Sequence, residues 1–113
     1  MAETFKHLAQ GQLLSSGDSP STAQQLLYEA PAGTTAIVGH IRLANLHGST
    51  ARTAKLWQNG VADTNIVLPA LSIESGGWAE FTGSIILDAG DILYGVANAG
   101  TSVTYNIYGL EVT

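Results

Sequence analysis

Turn-forming residues break this chain about every 8–12 positions, and the segments left between them are too short for most helices. "SSGDSPSTAQ", "PAGTT", "NLHGST", "NG", "SGG", "DAGD" and "NAGTS" each gather Gly, Pro, Asn, Asp or Ser. Such residues supply a positive φ, a preset φ or a short side chain that closes a turn. No segment sustains a 3.6-residue apolar period with caps. The spacing predicts about eight strands: Phe5–Leu14, Gln25–Ala30, Thr35–Leu46, Ala51–Gln58, the stretch around "IVLPALSI", Trp78–Leu87, Ile92–Asn98 and Val103–Val112. The expected fold is all-β, a single-domain sandwich of antiparallel strands, jelly-roll-like. With 113 residues the chain can fill one two-layer core and not a second.

Local chemistry sharpens this plan. Pro31 presets φ and Gly33 can take a positive φ, so "PAGTT" reads as a hairpin between the strands around it. Along Thr35–Leu46, alternation places Ile37, Ile41 and Leu43 inward, interrupted by Gly39, with Val38, His40 and Arg42 outward. Pro69 has no N–H for a ladder, which assigns its segment to an edge or a broken strand. In "LDAGDIL", Gly90 supplies the positive φ and Asp91 caps the turn, making Gly33, Gly90 and Asp91 the expected structural turn residues.

Only 12% of residues are charged, against roughly 25% in a typical soluble domain. Two explanations stand: a neutral Thr/Ser-rich β surface, or a surface covered by neighbouring subunits. The net charge of −5 and the scattered Lys6, Arg42, Arg52 and Lys55 argue against nucleic acid. No apolar run approaches the ~20 residues of a membrane span, and "MAETFKHLAQGQLL" lacks the basic and apolar regions of a signal peptide. The absence of cysteine removes disulfides and thiolate metal sites.

Catalytic chemistry finds little footing. His7, His40 and His47 form no H-x-H pair, and "ANAG" stands downstream of Gly90-Asp91 where a metal-binding cupin would place another His. Asp88 and Asp91 are too few oxygens for calcium. There is no G-x-S-x-G elbow. Glu29, Glu74, Glu80 and Glu111 are the candidates for a carboxylate pair, each expected as a solvated strand residue instead. We therefore expect no enzyme, cofactor or metal. Trp57, Trp78, Tyr94, Tyr105 and Tyr108 suit either a sugar-binding platform or core and interface positions, and the second is the expected one.

Two stretches, "LLYEAPAGTTAIVGHIRLANLHGSTARTAKLW" and "GGWAEFTGSIILDAGDILYGVANAGTSVTYNIYGLEV", together resemble small β-sandwich proteins of tailed bacteriophage particles over roughly residues 26–112. The resemblance lies in turn and strand features without catalytic content. It implies a virion structural protein, a head decoration (cement) subunit in the first place, trimeric and bound to the major capsid protein. A tail or fibre component, or a carbohydrate-binding module, is the alternative. On this reading residues 1–24 form a strand and polar loop that serve as an attachment arm, and 25–113 form the sandwich. The strand at Phe5–Leu14 then either pairs with a neighbour's sheet edge or is the sandwich's own first strand. Phe5, His7, Leu13, Trp57 and Trp78 are the expected interface residues.

Overall fold

A computed structural model describes residues 3–13, 25–60, 63–98 and 102–113. Eight strands follow in order: β1 (Glu3–Gln12), β2 (Gln25–Glu29), β3 (Thr35–Asn45), β4 (Arg52–Gln58), β5 (Ile66–Ile73), β6 (Trp78–Leu87), β7 (Ile92–Ala97) and β8 (Val103–Val112), with a 3₁₀ turn at Asp63–Asn65. They form two antiparallel four-stranded sheets, β1-β8-β3-β6 and β2-β7-β4-β5. Every link except β4–β5 crosses from one sheet to the other, which is the wrapped order of a jelly roll. The core lies between the sheets, where Leu13, Ile41, Leu56, Leu87, Leu93 and Ile107 are fully buried. β5, which carries Pro69, is an edge strand, as its missing N–H requires.

Two expectations are corrected here. The first concerns "PAGTT". It closes a turn, with Thr34 N–H donating to Pro31 O at 3.1 Å and Gly33 at φ 74°. The strands it joins, however, lie in different sheets. A turn with positive φ only at its third residue splays the flanking strands instead of matching hairpin twist. The second correction concerns β3. Val38 pairs with Gly109 and His40 with Tyr108, so Gly39 is an extra residue against β8. That bulge reverses the alternation. Ala36 and Val38 point inward before it, Ile41 and Leu43 after it, and Ile37 faces out instead of in.

The Pro31–Thr34 corner packs against the Asp88–Asp91 corner that links β6 to β7. Ala30 N–H donates to Asp91 O at 3.0 Å, and Gly90 N–H to Ala30 O at 2.9 Å. Asn45 ties the opposite end. Its fully buried amide donates to Thr50 O and Ile73 O, both at 3.0 Å, while its Oδ1 accepts from His47 N–H. No helix among the described residues is long and apolar enough to cross a membrane.

β1 pairs with β8 of its own chain along its whole length, from Glu3 opposite Val112 to Gln12 opposite Thr104. Leu13 continues it, its N–H donating to Val103 O at 2.8 Å. The sandwich therefore begins at β1 and not at residue 25. The polar loop 14–24 lies outside the described residues.

Candidate interaction face

The pleat alternates side chains across a sheet, and the register fixes which of them become neighbours. On the outer face of the β1-β8-β3-β6 sheet this produces four rows that run across the strands. His7, Tyr108, His40 and Thr82 form one row, and Gln10, Asn106, Arg42 and Glu80 the next. Toward one end lie Gln12, Thr104, Ala44 and Trp78; toward the other lie Leu110, Ile37 and Ile86, with the pair Val112 and Thr35 beyond them.

The middle rows are held by their own side chains. The rings of His7 and Tyr108 stack with centroids 4.8 Å apart, and those of Tyr108 and His40 at 5.6 Å, both pairs near parallel. His40 Nε2 meets the Glu80 carboxylate. Arg42 lies 3.9 Å from Glu80 Oε1 and holds its guanidinium 4.5 Å from the centre of the Trp78 ring, a cation–π contact. Among the described side chains, the charges of these middle rows are thus already paired.

A second polar group ties the two sheets together. Glu111 on β8 accepts from Lys6 Nζ on β1 at 2.6 Å and from the Tyr28 hydroxyl on β2 at 2.6 Å. These two hydrogen bonds, Lys6 first, hold the Glu111 carboxyl below its ordinary range. Burial, and then the carboxylate beside it, push the Tyr28 hydroxyl up. Glu111 is therefore not the solvated strand residue expected of it; its side chain is only 15% exposed.

The residues singled out in the sequence divide sharply. Gly33 and Gly90 sit at φ 74° and 88°. Asp91 Oδ2 accepts from Asp88 N–H at 2.9 Å, and Asp91 N–H donates back to Asp88 O at 2.8 Å. Trp78 is 58% exposed and His7 is exposed, so both are open to a partner. Trp57 and Leu13 are not interface residues, with exposures of 2% and 0%. Leu13 lies in the core and Trp57 is shielded within its own subunit, so neither can meet another subunit. Phe5 stands opposite Leu110 on β1, and its side chain lies outside the described residues. Tyr108, expected at a core or interface position, lies on the face, and Ile37, Ile86 and Leu110 join it without having been expected there. The alternation of "YNIYGLEV" carried the signal for Tyr108 and Leu110, whereas the bulge concealed Ile37.

As chemistry, the arrangement offers recognition. Among the described residues, no group of three or more His, Asp or Glu side chains is placed to hold a metal ion. Glu80 and Glu111 are each engaged by basic or hydroxyl partners on different surfaces. A shallow cleft at the corners is lined by Glu29, Ala30, Pro31, Ala32, Ala89 and Gly90, with a single carboxylate and no base or nucleophile beside it.

No sequence-family profile matches the chain, and no characterised protein matches it in sequence. Solved structures match it in shape. A chain of the T13 particle of infectious bursal disease virus superposes with a TM-score of 0.56 at 11% identity, covering 97% of this chain and 30% of that one. The CBM22-1 xylan-binding domain of Xyn10C from Paenibacillus barcinonensis gives 0.43 at 12% identity, covering 97% and 96%. A family 35 carbohydrate-binding module from Clostridium thermocellum gives 0.39 at 16%, covering 100% and 99%. The protein spans about a third of the viral chain's length, and at these identities the likeness is one of β-sandwich fold alone.

Proposed function

We propose that the protein is a structural subunit of a virus particle, in its narrowest form a head decoration protein of a tailed bacteriophage. It assembles on the major capsid protein as a trimer and performs no catalysis. The observation that carries this reading is the outer face of the β1-β8-β3-β6 sheet, where Trp78 and Ile86 stand exposed among side chains whose charges are already paired. A face of this kind loses little by being covered, because burial strands no lone charge. The low content of charged residues and the phage-like layout of residues 26–112 support the same reading. Purified protein mixed with particles that lack it should co-sediment with them and add density to the capsid in electron microscopy. Intact capsids that remain bare at saturating protein would refute the reading.

A second reading, a carbohydrate-binding module, draws on the exposed Trp78 ring with Arg42 held against it. Since Trp57 is buried, sugar binding should quench tryptophan fluorescence through Trp78 alone. Silence across a glycan array would dismiss it.

A further inference from the structure

Sandwich sheets that face water normally turn polar side chains outward. Here one row near the end of the sheet does the opposite. Ile86 on β6, Ile37 on β3 and Leu110 on β8 stand side by side in register on the solvent side, and Ile86 is 58% exposed. The bulge at Gly39 is what brings Ile37 to this side. Ile86, exposed, and its half-buried neighbours Ile37 and Leu110 form one apolar strip, unlike isolated exposed leucines.

We infer that this face is where one copy of the chain meets another. Charge selects the occupant. Each copy carries a net charge of −5, and like-charged surfaces brought together repel. Between the Ile86 row and the Trp78 row, the register places one arginine and one glutamate, Arg42 and Glu80, against each other. Among the described side chains, two identical copies can meet here without confronting unpaired like charge. The acidic groups Glu29, Asp88 and Asp91 lie at the corners where β2 ends and where β6 passes to β7, beyond the Arg42 and Glu80 row. A basic partner would be drawn to those corners and would gain nothing from the neutral face.

The area agrees. Four strands spaced ~4.8 Å apart and ten residues long at ~3.3 Å each present a projected face of roughly 600 Å². Side-chain relief raises the accessible area toward the ~800 Å² per partner of a stable interface. Covering the apolar row alone would fall well short, so the Arg42–Trp78 half is buried in the same contact.

This inference rests on the face and not on the virion reading, and it is tested on the purified chain without particles. In sedimentation equilibrium the wild type should run as a multiple of 11.7 kDa. Ile86→Lys should weaken self-association at least about tenfold. Leu26→Lys, equally open to solvent but on the other sheet, should leave it unchanged. Thr82→Arg, at an exposed position midway along β6, gives a second disruption should Ile86→Lys melt abnormally by circular dichroism. The inference fails if the wild type stays at 11.7 kDa up to about 100 µM. It also fails if folded face variants associate normally, or if Leu26→Lys dissociates the assembly as strongly as they do. Particle binding, measured separately, bears only on the virion reading.

Discussion

Replacing Gly109 by alanine tests the geometry of the central strand pair. Gly109 sits on β8 opposite Val38 and Lys6, with β8 paired on both sides. Its φ lies outside the left-handed region, so the backbone would accept alanine. Space would not. An added Cβ would lie 2.2 Å from Ile37 O and 3.0 Å from both Ile37 C and Val38 Cα, all of them backbone atoms of β3. Bringing that contact to an ordinary separation requires β3 and β8 to part by about 1 Å. Two or three ladder hydrogen bonds, each worth about 1 kcal/mol net, would be stretched, and overpacking adds about 1–3 kcal/mol. Restricting the unfolded chain offsets about 0.4–1 kcal/mol. The net loss is about 4 kcal/mol, a large part of the ~5–15 kcal/mol that holds a domain folded. Gly39→Ala is the matched control, since its nearest neighbour is Gly83 O at 3.8 Å and it should lose less than about 1 kcal/mol. Urea unfolding of both variants gives the two values. If Gly109→Ala unfolds within about 1 kcal/mol of the wild type, or no earlier than Gly39→Ala, the steric reasoning is refuted.

Asp91→Ala removes the acceptor for Asp88 N–H and should lower stability by about 1 kcal/mol, while Asp91→Asn keeps an acceptor and should be nearly silent; equal melting shifts would dismiss the turn role. Within a single subunit, Trp57→Ala should lose about 3–5 kcal/mol and Trp78→Ala no more than its cation–π contact, about 0.5–1 kcal/mol, an order that follows from their burial and that calorimetry can contradict. The Glu111 carboxyl titrates lower in the folded state than its ordinary value of 4.5, so its contribution is whole above that pH and is lost as pH falls through the depressed value. Tyr28 behaves in the mirror sense: its hydroxyl is raised above 10, so its share is whole below pH 10 and declines above it. The stability difference between wild type and Glu111→Gln should accordingly shrink in acid, and a gap that stays constant from pH 6 to pH 2 would contradict the assignment.

Strand positions were legible because the turn residues are local signals. Trp78–Leu87 and Val103–Val112 were expected at the bounds they have, and Pro69 announced an edge strand through its own missing N–H. What failed depended on partners. Whether Gly39 continues a strand or bulges out of it is decided by Gly109 and Tyr108, some 70 residues away, so Ile37 and Val38 were assigned to the wrong faces. Gly33 signals a turn without saying whether the chain returns to the same sheet or crosses to the other. Trp57 and Trp78 look alike in sequence, and only the packed structure buries one and exposes the other. The face itself went unread: the alternation of "YNIYGLEV" would set Tyr108 and Leu110 on one side, but its partners on β1, β3 and β6 come from register, which one-dimensional patterning does not encode.

The place of β8 in its sheet sets a timetable for folding. The ribosome makes β1 first, yet the strand that β1 pairs with comes last, Glu3 waiting for Val112. β3 likewise waits for β8 on one side, because β8 lies between β1 and β3. The β1-β8-β3-β6 sheet therefore cannot close until residues 103–112 have left the exit tunnel, and the ten-residue β1 waits for its ladder partner while residues 13–102 are made. Closing a loop of this length is entropically slow, and an unpaired strand is at its most aggregation-prone in that interval. The first strand to be made is the last to be secured.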